Sequence, residues 1–149
     1  MLVGEACNRE VVITARQTAI DEAARLMREY HVGDLIVVDD SDGKRLPIGV
    51  VSDRDLVIEV LAESVALDAV NVGDIMSREL LTVSDQDELF DTIRRMRERG
   101  VRRVPVVDRD GVLVGILAVD DLIDLLAEQL NQLVALIGNE MRRERERRG

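Results

Sequence analysis

The chain has 149 residues, 46% of them hydrophobic, and carries 20 basic against 30 acidic residues, a net charge of −10. A chain of this length fits one compact domain or two small halves that depend on each other. The acidic balance opposes non-specific binding to DNA or anionic lipid, and one Tyr and one Phe cannot form a stacking surface for single-stranded nucleic acid. We therefore expect no nucleic-acid partner and no membrane partner.

Cysteine and histidine usage excludes two common kinds of small stabilised domain. The lone Cys7 cannot form an internal disulfide, and Cys7 and the lone His31 cannot supply a zinc site with spaced ligands. No basic segment leads into an apolar run, and no apolar stretch approaches the roughly 18 residues of a membrane helix. These features predict a cytoplasmic protein without a metal site.

The first elements alternate between extended and helical patterns. Val11–Ile13 predicts a short strand, and Thr18 with Asp21 three residues later predicts a capping box that begins an amphipathic helix. The β-branched run Leu35–Val38, an Asp-rich turn and the run Ile48–Val51 predict a hairpin.

The same order returns in the second half of the chain. Leu80–Thr82 predicts a strand, and a helix is expected from Asp87 to Gly100, which is a typical helix terminator. Val104–Val107 and Leu113–Leu117 predict the second hairpin. Pro105 lacks a backbone donor, which favours an edge or cleft-facing position.

An internal repeat explains this recurrence. A shift of 69 places lays residues 3–39 on residues 72–108 with 13 of 37 positions identical, among them Val3/Val72, Gly4/Gly73 and Val37/Val106. The shift falls to 66 at Gly49/Gly115, because the first copy has three extra residues in its polar turn.

Each copy closes with a similar elbow from strand to helix. Gly49–Leu56 returns in altered form as Gly115–Leu122, and each runs from a glycine through apolar residues into an acidic helix start. The free N–H groups of such a helix start can face an anion. Ser52 and Asp55 also have the spacing of an ordinary N-terminal cap, and one residue pair can serve both purposes.

The chain therefore contains the same order of elements twice: strand, helix, strand, strand, helix. Each copy has about 60 residues and is too small to cover both faces of its sheet, so we expect the copies to pack sheet to sheet. The predicted units are residues 1–68, residues 69–128 and a C-terminal helix extension over residues 129–149. That extension continues an apolar stripe longer than its own half needs, which predicts self-association as a homodimer. The stripe contains Leu126, Leu130, Leu133, Ile137 and Met141.

The doubled pattern resembles a tandem pair of CBS (cystathionine-β-synthase) domains, the Bateman module. The resemblance is carried by Gly-x-x-Ser-x-x-Asp in the first copy, Gly-x-x-Ala-x-x-Asp in the second and the run Val101–Asp108, and it extends from Val3 to about Glu128. It implies an α+β fold of two β-α-β-β-α repeats related by a pseudo-two-fold axis, with two clefts between them. It also implies binding of an adenosyl ligand, such as AMP, ATP, NAD or S-adenosylmethionine, for regulation.

The resemblance assigns one cleft to a nucleotide. It implies that Ser52 contacts phosphate and that Asp55 accepts hydrogen bonds from the ribose hydroxyls, which suits an acceptor-only group. Arginine side chains would bind the phosphate, a backbone segment would meet adenine, and the proline would face the cleft or lie at an edge. These further residues are Arg102, Arg103, Leu81, Thr82 and Pro105. The alternative interpretation is that the two arginines are solvated.

The second cleft differs in chemistry. Its implied residues are Val12, Ile13, Gly33, Asp34 and Asp121. Ala118 lacks the hydroxyl of Ser52, and Gly33 and Asp34 replace the two arginines, so phosphate would be repelled there. We expect this cleft to be empty or to take a less charged adenosyl group.

Catalysis finds no support in the sequence. Asp53, Asp55, Asp120 and Asp121 stand at helix starts, where carboxylates act as caps, and His31 has no matching nucleophile nearby. No glycine-rich phosphate loop is present. Two hypotheses remain: a sensor of AMP, ADP, ATP, NAD or S-adenosylmethionine that requires no cofactor and acts on an unknown effector protein, and a dimerising scaffold with vestigial clefts. The ligand and the parallel or antiparallel orientation of the dimer stay open.

Overall fold

The computed structural model describes residues 1–148 and contains two three-stranded sheets. The first repeat consists of α1 (Val3–Ala6), β1 (Ile13–Thr14), α2 (Ile20–Tyr30), β2 (Asp34–Ser41), β3 (Lys44–Ser52) and α3 (Asp53–Asp55), which continues as a π-helical segment over Leu56–Leu61. Its strand order is β1-β2-β3, with β1 parallel and β3 antiparallel to β2.

The second repeat has the same topology. It consists of α4 (Val72–Ile75), β4 (Val83–Ser84), α5 (Leu89–Arg99), β5 (Arg103–Val107), β6 (Leu113–Ala118) and α6 (Val119–Arg148). Its strand order is β4-β5-β6, again with one parallel and one antiparallel pairing. The predicted α+β fold, the two hairpins and the long C-terminal helix are confirmed.

The leading segment of each repeat packs in the core of the other. Val3 is fully buried beside Val83 and Leu117 of the second repeat, and the N–H of Gly4 donates to the carbonyl of Asp85 at 2.9 Å. In return, Val72 is fully buried in the first repeat's core, and the N–H of Gly73 donates to the carbonyl of Arg16 at 2.8 Å. This exchange makes one unit of two halves that are each too small to be stable alone.

The sheets meet at a third buried cluster. Ile36 and Val38 of β2 are buried together with Ile116 of β6. Backbone bonds cross at both edges, because Asn8 exchanges hydrogen bonds with Ile116 at 2.8 and 2.9 Å and Ser77 exchanges them with Val50 at 2.9 and 3.0 Å. The predicted packing of sheet against sheet is confirmed.

The first strand of each repeat begins later than the sequence predicts. Only Ile13–Thr14 pairs with β2, so the predicted strand Val11–Ile13 is largely wrong, and only Val83–Ser84 pairs with β5 where Leu80–Thr82 was expected. Val11 packs against the cluster between the sheets, and Leu80 closes a turn by donating to the carbonyl of Arg78 at 3.0 Å. Tertiary packing overrides the extended preference of these residues.

The caps of the two central helices also differ from the prediction. The capping box of Thr18 and Asp21 does not form, because the Oγ1 of Thr18 accepts from the N–H of Ala15 at 3.2 Å within a turn, and α2 begins after Ala19. Helix α5 begins at Leu89 rather than Asp87, and the exposed Glu88 carboxylate accepts from the N–H of Asp91 at 2.8 Å. Backbone N–H groups, chiefly that of Asp91, hold the pKa of Glu88 below its ordinary value.

Helix α6 leaves the body of the molecule. Leu122 is its one buried residue among those described, and every residue from Leu126 to Arg148 is exposed. Within residues 1–148, no helix combines the length and the apolar composition that crossing a bilayer requires. The self-association predicted for the stripe stays a prediction.

Substitutions at two glycines test the close crossing of the leading segments. A Cβ on Gly115 would lie 2.7 Å from the Sγ of Cys7 and 2.8 Å from the carbonyl of Asn8. We expect Gly115→Ala to lower the free energy of unfolding by about 1–3 kcal/mol. Gly138→Ala is the matched control, since nothing lies within 4 Å of its Cβ position, and it should not lower stability. Equal melting temperatures of Gly115→Ala and wild type in calorimetry would argue against the close crossing.

Candidate ligand site between the two repeats

The first elbow is a closed capping box. The N–H of Ser52 donates to the Oδ2 of Asp55 at 2.9 Å, and the N–H of Asp55 donates to the Oγ of Ser52 at 3.1 Å. Each side chain retains further capacity, because the serine hydroxyl still has its proton to donate and the carboxylate has a second oxygen. The cap and a ligand contact are therefore compatible at this elbow.

The two arginines have different partners. Arg103 reaches Asp34 of the first repeat, with 3.7 Å between Nη1 and Oδ1, and both side chains are partly buried. Arg102 instead contacts Asp120 at the start of α6 at 3.4 Å, and both side chains are well exposed. Asp34 lies opposite Ser52 across β2 and β3, so the structure brings Arg103 close to the first elbow.

Arg103 and Asp34 are equivalent positions of the two repeats. The shift of 69 places relates them, so their ion pair joins the two halves at the pseudo-two-fold axis. Each also lies opposite its own elbow, Asp34 opposite Ser52 and Arg103 opposite Ala118. The pair therefore belongs to both clefts, which the sequence did not indicate.

Pro105 creates a second difference between the repeats. In the first repeat, the N–H of Ile36 donates to the carbonyl of Val12 at 3.3 Å. Pro105 occupies the equivalent position and has no N–H, and within residues 1–148 no backbone donor reaches the carbonyl of Leu81. Of the two positions expected for Pro105, the edge position is wrong, because β5 is the central strand and Pro105 is fully buried. The cleft-facing position stays a prediction. Because Pro105 has no N–H, the carbonyl of Leu81 lacks the hydrogen bond that the carbonyl of Val12 accepts in the first repeat.

A cavity of about 170 Å³ lies between the repeats at the second cleft. Val12, Asp34 and Asp121, all predicted for this cleft, line it together with Arg103. Ile13 lines an adjoining depression of about 580 Å³ that shares Val12 with the cavity. Gly33 serves the other elbow, where its carbonyl accepts from the N–H of Asp53 at 2.9 Å.

The sequence missed several residues of this cavity. Asn8, Glu10 and Val11 line both spaces, and Tyr30 lines the larger one. These residues precede β1 or end α2, where hydrophobic periodicity carries no signal for a site. For Asn8, Glu10 and Val11 the available signal was their place between α1 and β1, in the segment that crosses to the second repeat.

Three carboxylates face one guanidinium in the smaller cavity. Glu10, Asp34 and Asp121 line it with Arg103. Burial raises the pKa of Asp34, the Arg103 guanidinium opposes this shift, and the Asp53 carboxylate adds to it. The excess of negative groups disfavours a phosphate in this cleft.

The CBS domain family matches residues 3–62 and 72–128. This chain belongs to the CBS domain family. The two matched segments correspond to the two repeats, so the protein is a CBS domain pair.

Relatives of this CBS domain pair differ in length. It is 35% identical over 141 residues to an uncharacterized protein of Methanopyrus kandleri, covering 95% of this chain and 68% of that protein. It is 32% identical over 120 residues to the CBS domain-containing protein YhcV of Bacillus subtilis, covering 80% and 81% of the two chains. It also matches the choline transport ATP-binding protein OpuBA of Bacillus subtilis with 35% identity, but spans 32% of that protein's length.

Two solved structures share the fold of the CBS domain pair. The crystal structure of CBSX2 in complex with AMP is 32% identical, covers 87% of this chain and 98% of that chain, and has a TM-score of 0.72. A hexameric CBS-CP12 protein from bloom-forming cyanobacteria is 25% identical, covers 83% and 69% of the two chains, and has a TM-score of 0.68.

The partly buried carboxyl of Asp34 predicts a dependence of stability on pH. Its pKa in the folded protein lies above the ordinary value of 3.8, so the folded state binds this proton more tightly than the unfolded chain. The ionised form therefore costs stability at neutral pH, and that cost disappears as pH falls through the folded pKa. The melting temperature of wild type minus that of Asp34→Asn should rise as pH is lowered to about 4.

The matched reference is Asp40→Asn, at an exposed position on the same strand. Thermal unfolding of the three proteins across this pH range gives the comparison. A wild-type minus Asp34→Asn difference that stays constant, or falls with pH, would contradict the assigned burial of Asp34.

Proposed function

We propose that this CBS domain pair is a regulatory module that binds an adenosyl ligand between its repeats and performs no catalysis. The observation that carries the proposal is that Arg103 of the second repeat contacts Asp34, which lies opposite Ser52 of the first elbow. The carboxylate of Asp55, and the carbonyl of Leu81 that no backbone donor within residues 1–148 reaches, would supply the remaining groups. The similarity to a CBS domain protein in complex with AMP supports it.

The first cleft would hold the phosphorylated ligand. The adenine amino group donates to the carbonyl of Leu81, with the Thr82 backbone alongside, and the ribose hydroxyls donate to Asp55. Phosphate accepts hydrogen bonds from Arg103 and the hydroxyl of Ser52, at a helix start that favours an anion. AMP, ADP, ATP and NAD all carry these groups. Arg102 would add charge only by leaving Asp120.

The second cleft would select a less charged adenosyl ligand. Glu10, Asp34 and Asp121 disfavour phosphate there. The Arg103–Asp34 ion pair also couples the clefts, because a phosphate that draws Arg103 away leaves Asp34 without its cation. Nucleotide in the first cleft should therefore weaken the binding of any anion in the second cleft.

Regulation follows if the ligand binds one arrangement of the repeats more tightly than another. The effector would be another protein, and we place the module in the cytoplasm as a homodimer.

A second candidate is an interaction scaffold with vestigial clefts, favoured by the exposed apolar residues of α6. Thermal shift separates the two, since a ligand at 100 times its dissociation constant stabilises by about 2.7 kcal/mol. If AMP, ADP, ATP, NAD and S-adenosylmethionine all leave the melting temperature unchanged, the scaffold is the supported function.

Calorimetric titration with AMP and adenosine tests the site. Asp55→Asn should weaken both ligands by roughly tenfold or more, because a hydrogen bond to a charged acceptor contributes about 1.5–3 kcal/mol. Arg103→Ala should weaken AMP by a similar factor and leave adenosine nearly unchanged, because only AMP carries phosphate.

Matched variants separate binding from folding. Asp74 makes the same cap in α4, where its Oδ2 accepts from the N–H of Asn71 at 2.9 Å, so Asp74→Asn should lose stability like Asp55→Asn but keep AMP affinity. The exposed Arg109 provides the control substitution Arg109→Ala. Unchanged AMP affinity in both site variants, with measurable binding to wild type, would overturn the assignment.

A further inference from the structure

The outer part of α6 has an apolar seam that none of residues 1–148 covers. Five large side chains on this seam are separated alternately by three and four residues, the spacing typical of a coiled coil. They are Ile123, Leu126, Leu130, Leu133 and Ile137, each between 48% and 61% exposed. Long helices owe most of their stability to the packing of such a face, so this seam needs a partner.

The charges of α6 are segregated along its length. Residues 119–128 contain four carboxylates and no basic residue, and residues 129–138 contain no charged residue. Residues 139–148 contain five arginines and three glutamates. The helix is thus acidic at its start, apolar in its middle and basic at its end.

This charge segregation indicates which molecule covers the seam and in which direction its helix runs. A parallel partner copy would place acidic start against acidic start and basic end against basic end. An antiparallel copy places each acidic start beside a basic end, which is favourable in Coulomb energy and also opposes the two helix dipoles. We propose that α6 pairs with α6 of a second copy of this chain in antiparallel orientation.

The coiled-coil spacing fixes a register. Leu130 lies opposite Leu133 of the second copy, and Leu126 lies opposite Ile137, so that the seam is buried symmetrically. The same register brings the acidic start of each helix level with the basic end of the second copy's helix.

The net charge of residues 1–118 also favours the antiparallel orientation. Residues 1–118 contain 23 acidic against 15 basic residues, and in this register the last turn of the second copy's α6 reaches that body.

An anionic membrane surface fits α6 less well. Helices that lie on such membranes carry basic residues along the whole polar face. The four carboxylates of residues 119–128 would be repelled by anionic lipid, so a second copy is the better occupant.

Sedimentation of the full chain tests the pairing. Wild type should have twice the monomer mass of 16.7 kDa at micromolar concentrations. Leu130→Glu/Leu133→Glu should raise the dissociation constant by on the order of a hundredfold or more, because a charge is placed in the seam of each chain. Asn131→Glu/Gln132→Glu adds the same charge to neighbouring positions outside the seam and should remain dimeric.

Cysteine cross-linking tests the orientation in a Cys7→Ser background. Ile123→Cys and Glu140→Cys face each other only in the antiparallel register. A mixture of the two proteins, one carrying a mass tag, should give mixed disulfide dimers, whereas a parallel pair would join Ile123→Cys to itself. Preserved thermal unfolding of the body in each variant shows that folding is intact.

Several results would overturn the proposal. A monomeric wild type would do so, as would a dimer that survives Leu130→Glu/Leu133→Glu or one that cross-links only through identical positions. Cosedimentation of a monomer with phosphatidylglycerol vesicles would assign the seam to a membrane surface instead.

Discussion

The exchange of leading segments is the constraint on which the rest of this structure depends. Val3 lies in the core of the second repeat and Val72 in the core of the first, and both are fully buried. Neither sheet could cover its own face without the segment supplied by the other repeat. The interface between the sheets is therefore fixed by the cores themselves, and the clefts at that interface have defined walls.

Duplication followed by divergence explains the difference between the clefts. Position 34 is a carboxylate and its equivalent, position 103, is a guanidinium, and the two side chains meet at the axis between the repeats. Likewise Ile36 donates to the carbonyl of Val12, whereas Pro105 leaves the carbonyl of Leu81 free. Two substitutions on a shared backbone thus make the clefts chemically different, and the proposed function assigns the nucleotide to the cleft with fewer carboxylates.

Helix α6 begins at the clefts between the repeats and ends far from them. Its first turn contains Asp121, which lines the cavity, and Asp120, which holds Arg102. The same continuous helix then carries the exposed seam. A rigid element therefore connects the candidate ligand site to the surface on which another copy would pack.

Local sequence patterns predicted the hairpins, the helix end at Gly100 and the doubled topology, because these depend on neighbouring residues. They failed for the caps of α2 and α5, because Thr18 bonds within its own turn and Glu88 caps α5 in place of Asp87. They also failed for the starts of β1 and β4, where tertiary packing overrides the extended preference. The exchange of Val3 and Val72 had no local signal, although Gly49 and Gly115 marked the places where the crossing backbones approach. The Arg103–Asp34 pair required the relative position of both repeats, which periodicity does not contain.

Hydrogen exchange of the wild-type protein with and without AMP tests most directly whether a ligand sits between the repeats. The account predicts slower exchange in two segments at once, residues 50–56 of the first repeat and residues 80–84 of the second. Protection confined to one repeat, or no protection at saturating AMP, would contradict it.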